Sequence, residues 1–149
     1  MDEVAGAMAE VTVEDMFDQG IERYKNGEEI ASLIPTFQEV CDRAPKSSPA
    51  WTCLAWLYLL DSKPSQALKA AQKAVRLNPQ DAQARINLAI AMLETAKTGV
   101  RDHVEVASQL MLAVPELNEE VQQNIEDGLK RKPNWKSLTR IQGWLFESE

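Results

Sequence analysis

Few side chains in this sequence have the chemistry for covalent or acid–base work, and their spacing gathers none of them into a site. His103 is the single histidine, flanked by Asp102 and Glu105. A lone histidine of this kind can titrate near neutral pH, but without a second imidazole there is no His-x-x-x-His metal pair. It reads as a solvated side chain in a loop or at a helix start. Cys41 and Cys53 stand far apart compared with the roughly two-to-four-residue gaps of zinc ligand pairs. They read as half-buried, reduced thiols of a cytoplasmic protein, not as a disulfide framework. The carboxylate pairs Glu28-Glu29 and Glu119-Glu120 read as solvated helix-end charges. A phosphate-cradling glycine loop and a nucleophile elbow are both missing. No catalytic residue, metal ligand or cofactor is expected, and the chain reads as a non-enzyme.

Totals narrow the class further. The 149 residues suffice for one domain with its own core. An apolar fraction of 44% with 26% charged residues is ordinary for a globular protein. A formal charge of −7 and a pI near 4.8 argue against nucleic acid as a partner, since phosphates call for an excess of Lys and Arg. The longest apolar run, LAWLYLL, falls well short of the ~20 residues of a membrane span. Residues 1–15 carry Asp2, Glu3 and Glu10 but no Lys or Arg, and so lack the basic start of a secretory signal.

Helix punctuation runs along the whole chain, whereas hairpin dipeptides and period-2 alternation are absent. Thr12-Val13-Glu14-Asp15 resembles a capping box with Asp in place of Glu or Gln. Ser48-Pro49 reads as an N-cap followed by a first-turn proline. Pro64, Pro79, Pro115 and Pro133 punctuate successive amphipathic runs. The chain reads as all-α, with short connections.

A shift of 34 residues aligns 14–47 with 48–81. Phe17 falls on Trp51, Gly20 on Leu54, Ile21 on Ala55 and Tyr24 on Tyr58. Leu33 then falls on Ala67, Phe37 on Ala71, Val40 on Ala74 and Pro45 on Pro79. Every pairing is apolar, small, aromatic or proline.

This pattern resembles the tetratricopeptide repeat (TPR) family, whose helix–turn–helix unit has the same 34-residue period. Trp51, Leu54, Ala55, Tyr58, Ala67, Ala71, Ala74 and Pro79 match the family's motif throughout the second repeat. Gly20-Ile21, Leu33 and Val40 depart from it in the first, which implies two helices set slightly farther apart. In the third, Leu88, Ala89 and Met92 match while Arg85 replaces an aromatic, and Thr95 to Asp102 is expected to form a lengthened loop. Beyond Pro115 only periodicity remains, in Leu117, Val121, Ile125 and Leu129 and in Trp135, Leu138, Ile141 and Leu145. The resemblance implies an all-α, right-handed helical solenoid. It places an acidic segment at 1–13 and one domain at 14–147, with repeats at 14–47, 48–81 and 82–115 and a degenerate fourth pair at 116–147.

By the same resemblance, the first helix of each repeat lines a concave groove. The groove residues are then Asp15, Asp18, Gln19, Glu22 and Lys25, followed by Pro49, Thr52, Cys53, Trp56 and Leu59. Gln83, Ile86, Asn87, Ile90 and Leu93 complete them. The clamp by which some TPR proteins hold the carboxylate tails of chaperones needs cations and asparagines where this chain has Asp18, Glu22, Cys53, Gln83 and Asn87, so that partner is not expected. The groove is acidic at the first repeat and apolar at the second and third, and an exposed apolar patch of this size marks an interaction site. It suits a protein or peptide segment with apolar anchors and a basic end. Alternatively, the terminal helices carrying Trp135 and Trp144 curl back into it, or two chains pair through it. Trp56, which the repeat motif does not require, is the residue expected to meet a partner. The function implied is that of an adaptor or assembly factor, the alternative being a structural subunit held in a larger complex by its convex face or terminal helices.

Acidic residues gather at the start of the chain, while Lys130, Arg131, Lys132, Lys136 and Arg140 make a basic stretch near its end. That asymmetry accords with steering of a basic partner to the acidic end.

Overall fold

In the computed structural model, which describes residues 11–146, the Thr12 hydroxyl accepts the Asp15 backbone N–H at 3.0 Å and starts helix α1 (Val13–Lys25). Asp2, Glu3 and Glu10 lie outside the described residues. The chain continues through α2 (Ile30–Arg43), α3 (Ser48–Leu60), α4 (Pro64–Leu77), α5 (Ala82–Glu94), α6 (Val100–Ala113), α7 (Glu116–Arg131) and α8 (Lys136–Phe146). The described residues contain no strand. Ser47, one position before the serine that the sequence pattern favours, caps α3 by accepting the Ala50 N–H, and Pro49 follows in the first turn.

Each of the first three helix pairs closes on the same turn. After α1, α3 and α5 the chain steps into left-handed backbone at Gly27 (φ 84°), Ser62 (φ 58°) and Ala96 (φ 56°). The next N–H then reaches back five residues, from Glu28 to Arg23, Lys63 to Tyr58 and Lys97 to Met92. These are Schellman closures, which satisfy carbonyls at a helix end. The third connection, 95–99, is lengthened as expected, by two residues over the 61–63 connection of the second repeat, but it stops short of Asp102 because α6 starts at Val100. Asp102 therefore joins His103 in the first turn of α6, the helix start that was one of the two placements expected for the histidine.

Small residues set the packing between helices. Ala55, Ala67, Ala71 and Ala74 are fully buried, which lets the second repeat's backbones come close. In the first repeat the equivalent space is filled by Phe37, whose ring sits where a side chain on Gly20 would be. Phe17 meets Phe37 edge-on at 5.8 Å. Arg85, the departure in the third repeat, does what Trp51 does in the second. The Trp51 indole donates to the Pro45 carbonyl at 2.9 Å, and the Arg85 Nε to that of Pro79 at 2.9 Å. Ten of the thirteen α3 residues are buried, the signature of a helix packed on nearly all sides.

Candidate binding cleft

α3 is covered on every side because the chain doubles back. The α7–α8 pair lies across the concave side, and α8 packs on α5 and α6. Trp135, in the connection before α8, stacks on Trp56 with ring centroids 5.5 Å apart. Its indole N–H donates to Glu94 at 2.6 Å. Gly128 on α7 brings its backbone against the Trp56 ring and Leu138. Lys132 reaches the Leu59 carbonyl at 3.0 Å.

A second set of contacts joins α7 to the first repeat. The Tyr24 hydroxyl donates to the Asp127 carboxylate and accepts the Trp56 indole N–H, the latter at 2.8 Å. Arg131 pairs with Asp127 at 3.0 Å, donates to the Tyr24 carbonyl at 2.9 Å, and lies over the Tyr24 ring at 4.2 Å. Burial, with the Asp127 carboxylate beside it, pushes the Tyr24 phenol well above its ordinary value, so it stays a donor.

Between this clasp and the first helices of the repeats remains a cleft of about 670 Å³. Its apolar floor includes Ile21, Phe37, Leu57 and the edge of Trp56, while Thr52, Cys53, Gln83, Asn87, Gln123 and Asn124 supply polar groups. Three carboxamides are linked in series across it. Asn124 donates to Gln83 at 2.9 Å, Gln83 to Asn87 at 2.8 Å, and Asn87 to the Thr52 carbonyl at 3.0 Å. The Thr52 hydroxyl is buried without a partner.

The structure separates the groove residues expected from the sequence into three groups. Asp15, Asp18, Gln19 and Glu22 are exposed along α1. The carboxylates of Asp15, Asp18 and Glu22 take part in no ion pair among the described residues. Thr52, Cys53, Trp56 and Asn87 line the cleft. Leu59, Ile86 and Ile90 are fully buried and Leu93 is half-buried, so the expected exposed apolar patch does not exist. Trp56 is corrected likewise, being only 8% exposed. The physical reason is that the chain's own α7–α8 pair removes this apolar surface from water. Gln123, Asn124, Asp127 and Arg131 form the opposite wall, and repeat periodicity gave no sign of them. Gly128, a glycine inside an amphipathic helix, was the available hint of a close approach.

The remaining reactive groups are held in structural contacts. His103 is half-buried, and its Nδ1 accepts from Arg85 at 2.9 Å. Burial and the adjacent guanidinium lower its pKa, which corrects the expectation of a freely solvated histidine. Cys41 and Cys53 are both free thiols, Cys41 buried and Cys53 half-buried. Burial pushes each up to about 12, which suppresses the nucleophilic thiolate. No helix among the described residues is long and apolar enough to cross a membrane.

No protein-family model matches the chain, and neither does any curated protein. Solved structures do. The type III secretion translocator chaperone SycD of Yersinia enterocolitica superposes with a TM-score of 0.66 at 14% identity, over 84% of this chain and 95% of that one. The TPR2B domain of yeast Sti1, solved in complex with pHsp70, gives 0.63 at 16% identity, over 80% and 97%. A chain of the CopN–Scc3 complex gives 0.62 at 21% identity, over 76% and 67%. The likeness is one of fold: an all-α solenoid of the TPR type.

Proposed function

From a TPR-type solenoid whose concave side is half filled by its own C-terminal helices, we propose a non-catalytic protein–protein interaction module, an adaptor or assembly factor that holds one segment of a partner protein. The observation that carries this reading is the cleft left open between the repeats and α7, lined by Thr52, Cys53, Trp56 and Asn87 and continued along α1 by the exposed Asp15, Asp18, Gln19 and Glu22. Its apolar floor suits an apolar anchor, and the carboxylates suit a basic end. The superposed structures, a translocator chaperone and chains of two protein complexes, support the same class of work. A carboxylate-tail clamp is not part of the proposal, because Asp18 and Glu22 repel an anion. Two free thiols support a reducing, cytoplasmic setting. The test is capture from native lysate by wild type and by an Asp18→Lys/Glu22→Lys variant with unchanged helicity. Loss of the captured partner supports the reading, and equal capture by both proteins refutes it.

A second reading has its own observation. Leu112 is 82% exposed and Val114 43%, beside half-buried Leu110 and Leu117 at the α6–α7 turn. An unpartnered apolar turn of this kind favours a structural subunit that docks through its terminal helices. Sedimentation at micromolar concentration separates the two, a stable monomer favouring the adaptor and an obligate oligomer the subunit.

A further inference from the structure

We infer that the outer face of α4 docks on the acidic stripe of α1 in a second copy of this chain, joining copies head to tail. The inference goes beyond segment binding and stands whether or not the cleft is filled.

α4 has two unlike sides. Ala67, Ala70, Ala71 and Ala74 are buried where it packs on α3 and α5. The other side turns Ser65, Gln66, Lys69, Gln72 and Arg76 to solvent, with Lys73 half-buried beside them. α4, with the sequence PSQALKAAQKAVRL, contains no acidic residue. Lys69, Lys73 and Arg76, at i, i+4 and i+7, therefore make one cationic stripe. None of the three pairs with a carboxylate among the described residues.

A complement of matching length lies in the same sequence. On α1, Asp15, Asp18 and Glu22 stand at i, i+3 and i+7, exposed and equally unpaired among the described residues. Each stripe is about 10.5 Å long at ~1.5 Å per residue. Set antiparallel, the two spacings coincide: Arg76 meets Asp15, Lys73 meets Asp18, and Lys69 meets Glu22. The intervening residues also fit, Gln72 facing Gln19 and Gln66 facing Lys25, so no like charges meet. A parallel alignment brings together fewer of these pairs in any register. Within one molecule the stripes are kept apart, because α1 packs on α2, α2 on α3 and α3 on α4. The pairs form only between copies.

Because the two patches differ, the contact is heterologous, and each joined copy still offers a stripe to the next. Exposed ion pairs contribute little singly and are screened by salt, and a formal charge of −7 on each copy opposes approach. The dissociation constant is therefore on the order of 1 mM, and the chain is monomeric at micromolar concentration. A basic partner segment at α1 competes for the same carboxylates, so holding a partner and joining copies exclude each other.

The test is sedimentation of the full chain up to ~1 mM in about 0.1 M salt, where screening confines electrostatics to the contact itself. Wild type is expected to gain mass with concentration and to lose that gain in roughly 0.5 M salt. Two charge reversals, Lys69→Glu/Lys73→Glu/Arg76→Glu and Asp15→Lys/Asp18→Lys/Glu22→Lys, are each expected to keep wild-type helicity and stay monomeric. The dissociation constant of each rises more than roughly tenfold. Mixing the two variants restores complementary stripes, and association returns, a rescue that damage to the fold would not give. Lysate capture by the α4 variant, whose cleft and α1 are intact, reads segment binding separately. Wild type that stays monomeric at ~1 mM overturns the inference, whether or not α4 then proves to hold RNA or an anionic vesicle. Self-association that survives both reversals, or a mixture that stays monomeric, overturns it as well.

Discussion

Trp56 and Trp135, 79 positions apart in the chain, meet with their rings tilted 39° and centroids 5.5 Å apart. That contact identifies the occupant of the inner groove as the protein's own C-terminus, and it changes what a mutation there reports. Trp56→Ala removes a buried ring from the junction of α3, α7 and α8, and truncations of that kind cost about 3–5 kcal/mol. The expected outcome is a lower thermal midpoint and loss of near-UV tryptophan dichroism. Unchanged stability together with lost partner capture would restore Trp56 as a free binding residue. Gly128→Ala probes the same junction from the other side. Its Cβ would lie 2.8 Å from Leu138 Cδ2 and 2.9 Å from the Trp56 ring. Overpacking of about 1–3 kcal/mol should outweigh the ~1 kcal/mol that helix propensity returns, so this variant is also destabilised.

Left-handed turns give a prediction of the opposite sign. Ala96 holds φ 56°, a conformation that glycine adopts without a Cβ clash. Ala96→Gly is expected to stabilise the protein by roughly 0.5–1 kcal/mol, measured by urea unfolding. Ser62, at φ 58°, is the control. Its hydroxyl also accepts from Lys132 at 3.1 Å, so Ser62→Gly should gain less. Equal gains at the two sites would show that the Lys132 contact contributes nothing.

Glu28 supplies the pH dependence. Bonds from Arg23 and Ser32 hold its carboxyl at about 2, down from an ordinary value near 4.5. A group depressed in the folded state binds protons more readily when unfolded, so its contribution is complete above pH ~4.5 and is lost as pH falls through ~2. Titration by NMR should place the Glu28 midpoint well below the ordinary glutamate value. A Glu28→Gln variant should lose less stability than wild type across that window. A Glu28 midpoint near 4.5 would contradict the ion pair.

The sequence made the fold legible but only half of the site. Repeat identity rests on positions such as Leu54, Ala55 and Ala74, where any larger or polar residue disrupts packing, so a 34-residue comparison exposes it. Even the misfit at Arg85 has a physical reading, since it preserves a donor to the preceding proline carbonyl. The acidic face of α1 was equally readable, because local helix phase alone sets which side chains share a face. The occupant of the groove was left open among a partner segment, the chain's own terminal helices and a second chain, and the structure selects the terminal helices. The occupant depends on where α7 falls after six helices. Val121 and Ile125, the buried anchors of α7, belong to the stripe that periodicity revealed, but its contacts across the cleft come from a glycine and a few polar groups (Asn124, Asp127 and Arg131), types that also fill any solvated helix face. Only the distance between partners, as from Tyr24 to Asp127, distinguishes the two cases.

That same Tyr24–Asp127–Arg131 clasp makes the molecule a closed figure. An open stack of repeats can be lengthened by duplication, because each unit asks only for a neighbour on either side. Here the first repeat and α7 must stay within hydrogen-bonding reach of one another. A further 34-residue unit spliced between the second and third repeats would add helices in register and still pull the clasp apart. Repeat number in this architecture is therefore a fixed property, like the strand number of a closed barrel, and duplicating a unit would yield a longer protein with an open mouth.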